Sequence, residues 1–178
     1  MPAHHPLSPP PSSLDKSAFM ARYGHVYEHS PWIAEATWQA GLDQRHDTAE
    51  GLAGAMAAVL SRATSEQQLA LLRAHPELAG KAAIRNELTV DSSSEQSGAG
   101  LDQCTAQEFE QFQTLNHAYN ARFGFPFIIA VRGLHRTDIL RAFSARVHNP
   151  PTVEIETAIE QVNRIALLRL QALALSPE

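Results

Sequence analysis

The stretch FPFIIAV, Phe125–Val131, is the one place where the sequence argues against an all-helical protein. Aromatic and β-branched residues follow one another, and by propensity alone such a run reads as a buried strand. A lone strand leaves its backbone N–H and C=O groups unpaired, which is costly once they are buried. Either the run is a short buried helix, or its polar backbone faces something else, and a ligand is one candidate. Every other apolar pattern in the chain repeats at three and four residues. We therefore expect an all-α fold.

The helical patterns lie on both sides of this run. Phe19, Met20, Tyr23, Val26 and Tyr27 mark a first amphipathic helix. Ser30 and Pro31 open a second, as N-cap and first helical residue. Thr48 precedes a third, with Leu52, Met56, Val59 and Leu60 on one side. Ser65 with Gln68, and Thr105 with Glu108, have capping-box spacing. A short helical piece is expected around 79–88. Phe109, Phe112, Leu115, Tyr119 and Phe123 form a stripe closed by Gly124. Thr137 caps DILRAFSARV, and a last helix runs from about Thr152 with Ile155, Ile159, Val162, Ala166 and Leu173 inward. This predicts one compact helical domain over residues 14–178, of about seven to nine helices. Five prolines in the first eleven residues mark residues 1–13 as a flexible tail.

Composition narrows the function. The chain has 178 residues and a net charge of −5, without the basic excess of a nucleic-acid binder. No run approaches the roughly 18 apolar residues that span a membrane. The N-terminus has neither the charged nor the apolar region of a secretory signal. A single cysteine, Cys104, excludes an internal disulfide and fits a reducing, cytoplasmic setting.

The polar chemistry is concentrated between Leu71 and Cys104. Pro76 disfavours the α-region for His75, so a helix stops near Ala74 and leaves His75 at its negative end. That end favours protonated imidazole by about 0.3–1 kcal/mol. Ser92 stands three before Glu95, and Ser93 three before Gln96; Gly98 and Gly100 follow. Ser92–Gln96, including Ser94, reads as one exposed turn offering hydroxyls, an amide, a carboxylate and N–H groups. A ligand rich in amides and carboxylates suits such a turn. The plain alternatives are the end of a helix and a solvated loop, and spacing alone does not bring the two segments together. His25 and His29, at i and i+4, have the spacing of helical metal ligands, but Ser30-Pro31 interrupts the pattern. A helical adaptor without catalysis is the other rival.

Three motifs occur in order: His75-Pro76-Glu77-Leu78-Ala79, then Ser92…Glu95-Gln96…Ala99-Gly100-Leu101, then Phe123-Gly124-Phe125-Pro126-Phe127. Together with YEHSPWIAEATW and RIALLRL, they resemble the 2-oxo-4-hydroxy-4-carboxy-5-ureidoimidazoline (OHCU) decarboxylase family over about Phe19 to Leu173. The resemblance implies an all-helical fold and conversion of OHCU to (S)-allantoin in urate degradation. It implies no metal and no organic cofactor. It makes His75 the acid/base, aided by Glu95, with Pro76, Ser92, Ser93, Ser94, Glu95, Gln96, Phe127, Ile128, Ile129, Ala130 and Val131 contacting substrate. It also implies a homodimer. Arg132, Glu28 and His29 are further candidates to line the site.

Overall fold

The computed structural model describes residues 4–176, the side chains of residues 81 and 82 excepted. Its elements are helices α1 (Lys16–Tyr23), α2 (Trp32–Gln39), α3 (Ala49–Ser61), α4 (Ser65–Arg73), α5 (Lys81–Ile84), α6 (Val90–Gly98), α7 (Ala106–Phe123), α8 (Arg136–Arg146) and α9 (Pro151–Ala174), with single 3-10 turns at Pro11–Ser13, Gln44–His46 and Leu101–Gln103. Among the described residues no strand forms; β-type pairing is an isolated bridge between Pro6 and Thr48. The all-α expectation holds. Residues up to Ala74 together with Asn163 onward form one compact unit, and His75–Val162 form a second.

In the first unit, α1 to α4 and the last turns of α9 bury Phe19, Tyr23, Ile33, Leu52, Met56, Leu60 and Leu170. Thr48 caps α3 by accepting from the Gly51 N–H, as its position predicts. Two starts are displaced by a residue. Thr64, not Ser65, forms the capping box of α4 with Gln67, and Pro31 is the N-cap of α2.

Residues 5–12 of the proline-rich segment make contacts within the first unit. The Leu7 N–H donates to Asp47 O and the Ala49 N–H to His5 O, both at 2.8 Å. Leu7 and Pro11 are buried. His5 Nδ1 meets Glu50 Oε1 at 2.6 Å, and Gln171 Nε2 donates to the same oxygen at 3.0 Å. Partial burial acts to raise the Glu50 carboxyl, but the donations from Gln171 and His5 dominate and bring it down to about 2. The partners of His5, Leu7 and Ser12 lie some forty residues away in sequence. Deleting residues 1–13 should lower Tm by roughly 5–10 °C, from the loss of Leu7 burial and the Glu50 contacts. Differential scanning calorimetry checks this, and an unchanged Tm would refute it.

The second unit is built around Tyr119. Its ring meets those of Phe123, Phe125, Phe127 and Phe143 at centroid distances of 4.4–5.9 Å, and Phe127 stacks on Phe143 at 4.0 Å. Thr105 and Glu108 form the expected capping box of α7, and Gly124 closes it with φ +76°. The α8 cap is His135 with Asp138, two residues before the Thr137 expected from the sequence.

Candidate active site

The chain leaves α4 through Ala74, and Pro76 follows His75 as the sequence requires. His75 is 9% exposed and its Nε2 is buried. The next residues make a tight turn. Ala79 adopts φ +50°, and a Cβ on Gly80 would lie 2.7 Å from the Glu77 Cβ, so position 80 accepts only glycine without displacement.

The Ser92–Gln96 segment differs from its sequence reading. It is no exposed turn but the middle of α6, which starts earlier because Thr89 accepts from the Ser92 N–H as N-cap. Helical spacing then divides the polar residues. Ser92 and Gln96, four apart, are buried; Ser93 and Ser94 are exposed; Glu95 is half-buried. Gln96 ties α6 to the histidine segment: its Oε1 accepts from the Ala79 N–H at 3.1 Å and its Nε2 donates to Glu77 O at 3.4 Å. Glu95, its neighbour, is thus carried on the helix bonded to the turn that follows His75.

Phe127–Val131 is neither strand nor helix. Arg146 Nη1 donates to Ile128 O at 2.8 Å, Gln161 Oε1 accepts from the Ala130 N–H at 2.9 Å, and Val131 O accepts from the Leu134 N–H. Side chains therefore satisfy part of what a sheet ladder would satisfy. The Arg146 guanidinium also lies 4.4 Å from the Phe127 ring centroid. Arg146 is in turn bound to the fully buried Glu154, which accepts from Tyr119 Oη at 2.5 Å, Arg146 Nη2 at 3.0 Å and Asn149 Nδ2 at 2.9 Å. Burial alone would raise the Glu154 carboxyl; donation from Arg146, Tyr119 and Asn149 outweighs it and the net shift is downward. Burial and the Glu154 hydrogen bond push the Tyr119 phenol up, so it remains a donor. Sequence reading passed over this network. The signal was a glutamate, Glu154, in the first turn of the last helix.

The remaining candidates fall into place. Arg132 is exposed just beyond the Phe127–Val131 run. Glu28 is buried and bonded to Arg169 Nη1 at 2.8 Å within the first unit. Arg169 was missed; an arginine set among Leu167, Leu168 and Leu170 marks it. His25 and His29 share no helix, because α1 ends at Tyr23 and His29 has φ +51°, so the metal-ligand spacing does not apply. Burial raises the Cys104 thiol, which weighs against a thiolate nucleophile.

Comparison with known proteins fits this arrangement. Residues 12–171 match the family model described as OHCU decarboxylase. The chain is 42% identical over 162 residues to the 2-oxo-4-hydroxy-4-carboxy-5-ureidoimidazoline decarboxylase of Halalkalicoccus jeotgali, covering 91% of this chain and 88% of that one. It is 40% identical to the protein of the same description from Haloferax volcanii, over 88% and 89% of the two chains. A crystal structure of (S)-allantoin synthase aligns with TM-score 0.71 at 33% identity, over 91% of this chain and 52% of that one. A structure of OHCU decarboxylase in the presence of (S)-allantoin shares the fold, with TM-score 0.66 over 90% of this chain and 99% of that one, at 23% identity. The protein is a carboxy-lyase. It belongs to the OHCU decarboxylase family.

Proposed function

We propose that this protein converts OHCU to (S)-allantoin in urate degradation, with His75 as the general acid/base. The observation that carries the reading is the turn that follows His75, which Gln96 bonds to the helix bearing Glu95, in a chain matched by the family model from residue 12 to residue 171.

The substrate defines what the residues must do. When the C–C bond to the carboxylate breaks and CO2 leaves, its electron pair stays on the ring carbon. The adjacent ring C=N accepts the pair, and its nitrogen takes a proton. The ring hydroxyl then gives up its proton to become a carbonyl, and the neighbouring carbon gains one on a single face. The electron sink belongs to the substrate, and the protein manages protons and orientation. An imidazole both accepts and returns a proton near neutral pH. Glu95 either orients that imidazole or accepts from the ureido N–H groups. Pro76 lies against the substrate, as do the serine hydroxyls at 92–94. The backbone of Phe127–Val131 is the further set of groups offered to the ligand. This reading takes in a cytoplasmic setting and a homodimer.

The test is to add the protein to freshly generated OHCU and follow product chirality by circular dichroism. We expect a rate above the spontaneous one and (S)-allantoin. An unchanged rate with racemic product would remove the assignment.

A further inference from the structure

Three carboxamides on α7 converge on the turn that follows His75-Pro76. Gln113 Nε2 donates to Ala79 O at 2.8 Å, Asn116 Nδ2 to Leu78 O at 3.0 Å, and Asn120 Nδ2 to a Glu77 carboxylate oxygen at 3.4 Å. They stand at i, i+3 and i+7, so one face of the helix carries all three. From α6, Gln96 adds a bond to the Ala79 N–H and one to Glu77 O. Every residue from Glu77 to Ala79 is thus held through its backbone by a side-chain amide.

Two features indicate that this is more than ordinary loop anchoring. Ala79 is held at φ +50°, a conformation unfavourable for a residue with a Cβ, and an observed backbone outlier of this kind points toward function. Asn116 is 2% exposed, and its Oδ1 is buried without a hydrogen-bond partner. The fold leaves that acceptor unsatisfied, at a cost in stability, and uses the donor alone.

We propose that Gln113 and Asn116, with Gln96, are positioning residues for the reaction: they clamp Glu77–Ala79 and so set the place of the imidazole at His75. The proposal rests on the reading of His75 as the acid/base. Neither α7 residue touches the reacting atoms in this scheme. Their effect is transmitted through the short backbone from Ala79 back to Pro76, and small misplacements of a catalytic group carry large rate penalties.

The experiment uses the full-length protein with OHCU. Gln113→Met keeps the side-chain length and removes the donor; Gln113→Lys restores a donor of similar reach; Asn116→Ser shortens the second clamp. Gln113 is only half-buried, so its variants fold even where Asn116→Ser does not, and the Gln113 pair decides the outcome. For Gln113→Met we expect kcat to fall on the order of 10-fold to 10²-fold, with KM within about twofold of the parent. Gln113→Lys should recover most of the loss. On a His75→Asn background, Gln113→Met should change nothing further, because two residues acting through one group are not additive. Parental kcat in Gln113→Met, with only Tm lowered, would overturn the proposal, as would a failure of Gln113→Lys to recover activity. An active His75→Asn enzyme would instead overturn the acid/base reading itself, so the two failures are distinguishable.

Discussion

His75→Asn lowers turnover by about 10²–10⁴ while binding of substrate analogues persists. Asparagine retains a hydrogen-bonding amide in a site 9% exposed, but it does not titrate and so moves no proton. Stopped-flow circular dichroism on OHCU separates kcat from KM, and calorimetry with an analogue reports binding. Glu95→Gln adds a diagnostic arm. It keeps the shape and one acceptor but loses the negative charge. If Glu95 works through His75, the double variant is little worse than His75→Asn alone. Multiplicative losses would place Glu95 on the ureido arm instead. Retained activity in His75→Asn would reduce His75-Pro76 to the end of a helix.

Glu154→Ala destabilises the protein by about 3–5 kcal/mol, because it strands a buried guanidinium. Arg146 is 12% exposed and Glu154 0%. The same change removes the acceptor of Tyr119 and Asn149. On a chain of this length Tm should fall on the order of 10 °C. The sign of the pH dependence follows from the lowered Glu154 carboxyl. A carboxylate depressed in the folded state contributes stability that is complete above its unfolded pKa and lost as pH falls through the folded one. The parent therefore loses this contribution on acidification, and the variant, lacking it, shows a shallower fall of Tm on the acid side. Equal acid slopes would refute the account. Arg146 also holds Ile128 O, so turnover should fall along with stability.

The legible parts of this fold are local. Thr48, Thr105 and Gly124 act where their spacing placed them, because a cap is decided within four residues. The serine cluster was misread for the same reason. Thr89 lies three before Ser92 and starts the helix first, which turns an expected loop into α6. The bonds that fasten the candidate site and the N-terminal segment are of another kind. Asn116 reaches 38 residues back to Leu78, Gln161 reaches 31 back to Ala130, and the Asp47 that fastens Ser12 is 35 residues ahead of it. No periodicity encodes such pairings. FPFIIAV was rightly suspected of having no ladder, but the arginine and glutamine that stand in for one could not be picked out among the polar residues of α8 and α9. His75, Glu95 and Gln96 were singled out as residues; Gln113 and Asn116 of α7, which fasten the turn after His75, were not.

Helix α7 faces two masters. Phe112 and Tyr119 fill the aromatic core of its unit, while Gln113, Asn116 and Asn120 grip the turn after His75. Drift along this helix is therefore confined to its outward positions, among them Gln107, Glu110, Gln111, Thr114, His117 and Ala118. A saturation library across α7 should return tolerated substitutions in a helical rhythm, with silent stretches where core and clamp alternate. Searches for altered substrate range are better spent on the exposed Ser93 and Ser94 of α6, where a new side chain disturbs neither.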